Sequence, residues 1–502
     1  DITKCFDSIY THTLPWALYN KNIVKTNIEP SLATFGGEFD RLMQDLNANE
    51  TNGIIIGPEF SRIFAELILQ QIDINIYERL KTNDANGKNL IHKVDYEIFR
   101  YVDEIDVERV KENFKLALKE FKMYLNNEKS VLYSKPIITE ISIAKQKIND
   151  LFNNHLILKE KEKEVLEDDE QSTSILYFSS NNVITRFKSI IQESQVEYKD
   201  IMNYSLAVLD NKTSKLIKKH KSLKDEISTK AQKEFEIGFL EILDVTFFLY
   251  SVSPKVNSTI KVCLIIDKIT CFLKKNKTNE YNEPLTPNSK HNIFKKISDE
   301  INLVLHKNQS KKETQIETLY LLIALSQLGR EYRLNMKVLC AYFNITLKKD
   351  ISLIFNTELN YFSITVLLFY IKDISTYSSI LEELKKVILD KFKFGKTYGW
   401  KDNTELVLLL LDSISCPFLN DEVRDHFKNK VKDARARNSK NLKSYIKEFK
   451  DEKYKFKKQL LTLLEITDNQ ITLIEQERFW FTKWTEFDFG LELQAKRSQE
   501  VY

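Results

Sequence analysis

Half of the chain's ten glycines fall at or before Gly87, and between Gly87 and Gly395 only Gly238 and Gly329 occur. Ten Gly and 8 Pro in 502 residues lie far below ordinary usage of about 7% and 5%. Turns that demand glycine are therefore concentrated at the front, and the remainder reads as helical. Hydrophobic residues make up 42% and charged residues 29%, enough apolar mass to fold and too much for bulk disorder. At this length two domains are the prior.

Residues 1 to about 135 carry mixed α/β signals. A helical stretch follows Asp1–Ile9 and is expected to break at Gly36-Gly37 and Asn52-Gly53. A second helix is expected from Pro58 to Leu80, with Pro58 in the first turn, where its missing N–H costs nothing, and with Ser61 and Ala65 stacked at i, i+4. Asn83-Asp84-Ala85-Asn86-Gly87 is a turn cluster. Val94 to Val102 is rich in β-branched and aromatic residues and predicts a strand, with a second short strand from Ile105. That places the adjacent acids Asp103-Glu104 at a hairpin tip, where carboxylates can converge on metal. Asp1, in Asp1-Ile2-Thr3-Lys4-Cys5-Phe6-Asp7-Ser8-Ile9, is the best third acid. Phosphoryl-transfer enzymes use such carboxylates to hold two Mg²⁺ ions about 3.5–4 Å apart, which points to a nucleotide polymerase.

From about Ile137 onward long amphipathic patterns dominate. Lys159–Glu170 reads as a solvated helix face or a linker. Asn356-Thr357-Glu358-Leu359 and Asn403-Thr404-Glu405-Leu406 each open an apolar run, 403 − 356 = 47 residues apart, and a similar run near Leu319 lies 359 − 319 = 40 residues before Leu359. Such offsets match the helix pairs of HEAT-like arrays, with an irregular bundle as the alternative. Net charge is +3, which by itself does not demand nucleic acid. Lys430–Lys440 is basic but reads first as a solvated helix face. Phe479-Trp480-Phe481, Trp484 and Phe487 read as an apolar seam or subunit contact before a stacking platform. Five scattered cysteines without a CxxC fit a reducing cytoplasm, and seven histidines without HxxxH or HxxE spacing argue against zinc. Apolar runs such as Thr365–Ile371 and Leu406–Leu411 are shorter than the roughly 20 residues of a membrane span.

Four segments carry a family resemblance, in the expected order. Asp1–Tyr10 resembles motif A of reverse transcriptases, Gly53–Glu66 (GIIIGPEFSRIFAE) motif B, Tyr101-Val102-Asp103-Glu104 the YxDD box of motif C, and Leu125-Asn126-Asn127-Glu128-Lys129-Ser130 the LNxxKT element of motif D. Together with a long helical C-terminal region, and with His12, Gly53–Ser61 and Glu66 in a similar context, the chain resembles the bacterial abortive-infection and related phage-defence reverse transcriptases. The resemblance implies an α+β reverse-transcriptase palm over residues 1–135, its fingers missing, followed by a mostly α-helical, HEAT-like domain over 136–502. It implies Asp1, Asp103 and Glu104 as metal ligands and catalytic groups for Mg²⁺, with Mn²⁺ as an alternative. Phe6 would bar a 2′-hydroxyl, Lys129 would stabilise the departing pyrophosphate, and Gly57 would turn the chain so that Ser61 and Ala65 present a smooth surface to the nucleotide.

The implied activity is addition of dNTPs to DNA, protein-primed and untemplated, by a cytoplasmic bacterial homo-oligomer with no membrane partner. The 22 tyrosines supply many priming hydroxyls, and their spacing selects none. A template-copying enzyme using a noncoding RNA, and a catalytically lapsed palm serving as a scaffold, are the alternatives. Motif C departs from the family in reading Asp-Glu rather than Asp-Asp. A polypeptide starting on the motif A aspartate lacks the basic segments that grip the triphosphate, so this fragment alone is expected to be inactive.

Overall fold

The structure is a computed structural model that describes residues 2–81, 94–95, 98–99, 105–129, 138–158, 176–222, 229–252, 254–274, 284–308, 316–347, 353–372, 374–392, 403–430, 481–485 and 487–497. Described residues are mostly helical, with three separate two-stranded antiparallel sheets. The chain divides into two compact units, Asp1–Ile137 and Ile138–Tyr502.

In the first unit five short helices, α1 (Cys5–Ser8), α2 (Thr13–Tyr19), α3 (Lys21–Thr26), α4 (Ile28–Leu32) and α5 (Phe35–Leu46), precede the long α6 (Glu59–Lys81). A small hairpin, β1 (Val94–Asp95) and β2 (Ile98–Phe99), then α7 (Ile105–Glu120) and a 3₁₀ turn (Asn127–Lys129) follow. α6 packs on α2 and α7, and its buried Phe64, Ile68, Ile72 and Ile76 recur at helical spacing. The helix expected over Pro58–Leu80 thus forms one residue later at each end.

Three local expectations are overturned. Gly36-Gly37 does not break a helix but lies in the first turn of α5, where Thr34 Oγ1 accepts the Gly37 N–H at 3.2 Å. Glycine is needed there for space, because a Cβ on Gly37 would sit 2.2 Å from the Ser31 carbonyl oxygen. The stretch from Val94 is not one strand: β1 and β2 pair with each other, Val94 opposite Phe99. Nor does a strand begin at Ile105: α7 starts there, so the hairpin expected to carry Asp103-Glu104 at its tip lacks its second strand, and the two acids themselves lie outside the described residues. Val110, Phe114, Ala117, Leu118 and Phe121 place apolar groups on one helical face, four of them buried and Phe114 packed against the core.

The second unit contains α8 (Glu140–His155), the hairpin β3 (Leu156–Leu158) and β4 (Leu176–Phe178), α9 (Ser180–Glu193), α10 (Tyr198–Ser222), α11 (Thr229–Val252), α12 (Val256–Lys274), α13 (Pro287–Lys307), α14 (Ile316–Ser326) and α15 (Met336–Tyr342). There follow the hairpin β5 (Ile345–Leu347) and β6 (Leu353–Phe355), α16 (Tyr361–Ile371), α17 (Ser378–Lys391), α18 (Thr404–Ser415), α19 (421–430) and α20 (Phe489–Arg497). Alternate helices stack on one another: α10, α12, α14, α16 and α18 form one row, and α9, α11, α13 and α15 another. Helix α12 lies between α10 and α14 and also meets α11, α13 and α20. Its buried residues run nearly round its circumference, from Ile260 through Val262, Cys263, Leu264, Ile265, Ile266 and Ile269. No described helix is long and apolar enough to cross a membrane.

The helix starts in the first row differ from those read in the sequence. Asn403 caps α18 as expected, accepting the Leu406 N–H at 3.1 Å. Helix α16, however, is capped by Asn360, which accepts the Ser363 N–H at 2.8 Å. Asn356 instead closes the β5–β6 hairpin by donating to the Asn344 carbonyl and to Thr346 Oγ1. Successive starts at Ile316, Tyr361 and Thr404 are then 361 − 316 = 45 and 404 − 361 = 43 residues apart.

A fully buried carboxylate, Asp412 of α18, ties the segment before α20 to this stack. It accepts the amides of Phe481 at 2.8 Å and Thr482 at 3.0 Å, Thr482 Oγ1 at 2.6 Å, and the Tyr361 hydroxyl. The Asp412 carbonyl accepts Trp484 Nε1 at 3.2 Å, with that indole 2% exposed. Of the C-terminal aromatics, Phe479 and Trp480 lie outside the described residues. Trp484 and Phe487 pack inward against Phe418 and Phe369, while Phe481 is 66% exposed. Truncating Asp412 to Ala strands several buried donors, which costs roughly 2–4 kcal/mol. Hydrogen exchange at the Phe481 and Thr482 amides is the direct measurement. Protection should fall by about a hundredfold; unchanged protection means the carboxylate does not hold the segment.

Candidate active site

The four motif-like segments lie in the first unit. Asp1, Asp103 and Glu104 all lie outside the described residues. Ile2 forms an antiparallel bridge with Leu125, and the Thr3 N–H donates to the Tyr124 carbonyl at 2.9 Å. The start of the motif A segment therefore lies alongside the start of the motif D segment. Four residues beyond Leu125, Lys129 ends an exposed 3₁₀ turn.

On its other side the same segment is laced to the approach to α6. Ile54 N–H donates to the Phe6 carbonyl at 3.0 Å and Gly53 N–H to the Ile9 carbonyl at 2.8 Å. Tyr10 bridges Asn52, and the Thr11 N–H reaches the Thr51 carbonyl at 2.9 Å. Gly53 has φ +85°, and a Cβ there would come within 3.3 Å of the Asp7 carbonyl oxygen. Only glycine gives both the turn and the close approach. Gly57 also has positive φ, +125°, but an added Cβ would meet nothing within 4 Å. Its requirement is conformational, which fits the turn expected there.

Phe6 is half-buried and packs against the core of this unit. Ser61 and Ala65 do not present a surface to solvent: Ser61 is 0% and Ala65 3% exposed. The small-residue face of α6 is turned into the core, as expected of a face that lets a helix pack closely. Ser61 Oγ is buried and has no hydrogen-bond partner among the described residues, and Thr11 Oγ1 is in the same condition.

Beside the motif A segment stands a polar and aromatic group that sequence reading did not assemble. His12 Nδ1 lies 2.5 Å from Asp40 Oδ2, and Asp40 also accepts Gln44 Nε2 at 2.6 Å. The hydrogen bond to Asp40 raises the His12 pKa, with burial and the Lys122 ammonium opposing it. The Lys122 ammonium sits 3.5 Å from the centre of the Tyr10 ring, and Trp16 carries Lys21 at 4.6 Å. These residues come from three separate parts of the chain, and no local spacing announces them.

Among the described residues no group of three His, Cys, Asp or Glu side chains could hold a metal ion. The expected donor set, Asp1, Asp103 and Glu104, is made only of carboxylates, the hard oxygen ligands that suit Mg²⁺ or Mn²⁺. Compared with known proteins, the chain matches no protein-family model, and no curated protein is significantly similar to it.

The burial of Ser61 makes a sharp prediction. Removing an unpartnered buried hydroxyl by Ser61→Ala should leave stability unchanged or raise it by about 1 kcal/mol, as read from urea unfolding. A loss above about 1 kcal/mol would show that the hydroxyl has a partner.

Proposed function

We propose that the chain carries the palm of a reverse-transcriptase-like DNA polymerase of anti-phage defence, joined to a helical-repeat unit. One observation carries the reading. The segments resembling motifs A, B and D lie far apart in sequence, yet backbone hydrogen bonds of residues 2–11 join all three. The antiparallel Ile2–Leu125 bridge also joins the two ends of this unit, with α6, the β1–β2 hairpin and α7 between them in sequence. In the second unit, the two rows of alternating helices and starts 43 and 45 residues apart support a HEAT-like array.

In this reading Asp1 and Asp103 bind the metals, with Glu104 as the more peripheral acid. Bound Mg²⁺ would lower the pKa of an attacking hydroxyl and neutralise charge on the leaving pyrophosphate. Phe6, leaning on the core, is positioned to be rigid, as a side chain that excludes a 2′-hydroxyl must be. Lys129 would meet the departing pyrophosphate as a point charge. Gly57 serves the turn before α6, and Ser61 supports that helix from within. DNA made from dNTPs and linked to protein, synthesis without a copied RNA, and a cytoplasmic homo-oligomer follow from the motif resemblance.

The test is incubation of the full-length protein with labelled dNTPs and Mg²⁺, with and without RNase. Label should become covalently attached to protein and persist after RNase, and Asp103→Asn should reduce it by about a hundredfold or more. RNase-sensitive synthesis would replace the untemplated reading with a template-copying one. No synthesis, or phage protection that survives Asp103→Asn, would contradict polymerase function.

A further inference from the structure

The second unit contains a cavity of about 720 Å³ between the end of α12, one face of α13 and the turn after α14. A cavity of that volume suits a small molecule, within the roughly 300–1,000 Å³ of typical ligand sites. Four permanent cations line it, Lys274, Lys290, Lys295 and Arg333, against two acids, Asp299 and Glu331. The wall therefore carries an excess of two positive charges before His291 is counted.

Three further observations show that these cations are not arranged for one another's benefit. Among the described residues, neither Lys290 nor Lys295 has an ion-pair partner. Burial, and then the nearby Lys290 ammonium, hold Lys274 below the ordinary lysine range, so like charges crowd one side of the cavity. Arg333 is fixed in place by donating to the Tyr370 carbonyl, with its guanidinium 5.0 Å from that ring, and its Nε is buried without a partner. His291 and Tyr332 add a joined pair of polar groups, Nδ1 to hydroxyl at 2.9 Å. Lys290 and Arg333 are part-buried and Lys274 and Lys295 exposed; like charges gathered at one site disfavour one another, and a multiply charged anion removes that cost.

We infer that this cavity binds a small phosphorylated molecule, of the size class of a mononucleotide, with its phosphates held among Lys274, Lys290, Lys295 and Arg333. Phosphate is favoured over carboxylate because four cations line one cleft, which rewards a compact group of high charge. The site lies wholly in the helical unit, and its assignment does not depend on the polymerase reading.

The experiment is calorimetric titration of the full chain with inorganic pyrophosphate, in EDTA so that metal-dependent binding is silent. Saturable binding of one pyrophosphate per chain is expected, weakening as salt rises. The double variant Lys290→Glu, Lys295→Glu should weaken it at least about tenfold. Lys295 is exposed, so Lys295→Ala alone supplies a variant that keeps the fold, and it should weaken binding severalfold with an unchanged unfolding midpoint. Absence of saturable binding, unchanged affinity in Lys295→Ala, or citrate binding as tightly as pyrophosphate would each overturn the assignment.

Discussion

Residues 2–11 contain only one turn of helix, too little to satisfy their own backbone. They take partners instead from residues 51–54 on one side and 124–125 on the other. Everything proposed for the first unit depends on this borrowing. It fixes the register of Asp1's neighbours against the segment that leads to Lys129, and it seats the turn before α6 against Phe6 and Ile9. Gly53, with its positive φ and close approach to Asp7, is the point where a side chain would break the lacing.

The second unit is held differently. Its helices stack in alternate rows over a continuous apolar core, and apolar burial alone leaves such rows free to slide. Buried polar pairs set the register. Asp210 of α10 meets Lys268 of α12 at 2.5 Å, with Ser214 also in reach of that ammonium. Tyr250 of α11 bonds Thr259 of α12 at 2.7 Å, and Asp412 gathers donors from α16 and from the segment before α20. Each polar group is satisfied only in one alignment, which is how a polar contact adds specificity where it adds little net stability.

Strongly periodic segments were legible in the sequence, and places where two local signals compete were not. α6 forms almost where Pro58 and its apolar spacing put it. The stretch after Glu104 reads as strand from Ile105 and Val107, but the helical repeat from Val110 to Phe121 prevails because it buries a longer face. Asn356 and Asn360 are both good caps, and the choice between them is made by tertiary contacts of the hairpin and of Glu405, which accepts the Tyr361 N–H at 2.8 Å. Gly36-Gly37 looks like a breaker because sequence shows glycine's freedom but not the backbone passing beside it. The small face of Ser61 and Ala65 has the same spacing whether it meets a ligand or the core, and here it meets the core. His12, Asp40 and Lys122 come together only through the fold.

The proposed chemistry requires Asp1 and Asp103, far apart in the chain, to share one pair of divalent ions. Manganese binding to the full-length protein, followed by electron paramagnetic resonance, tests it most directly. Two Mn²⁺ per chain are expected, close enough for spin coupling at about 3.5–4 Å, with coupling lost in both Asp1→Asn and Asp103→Asn. Coupled manganese that survives either substitution, or no paired manganese in the parent protein, would contradict it.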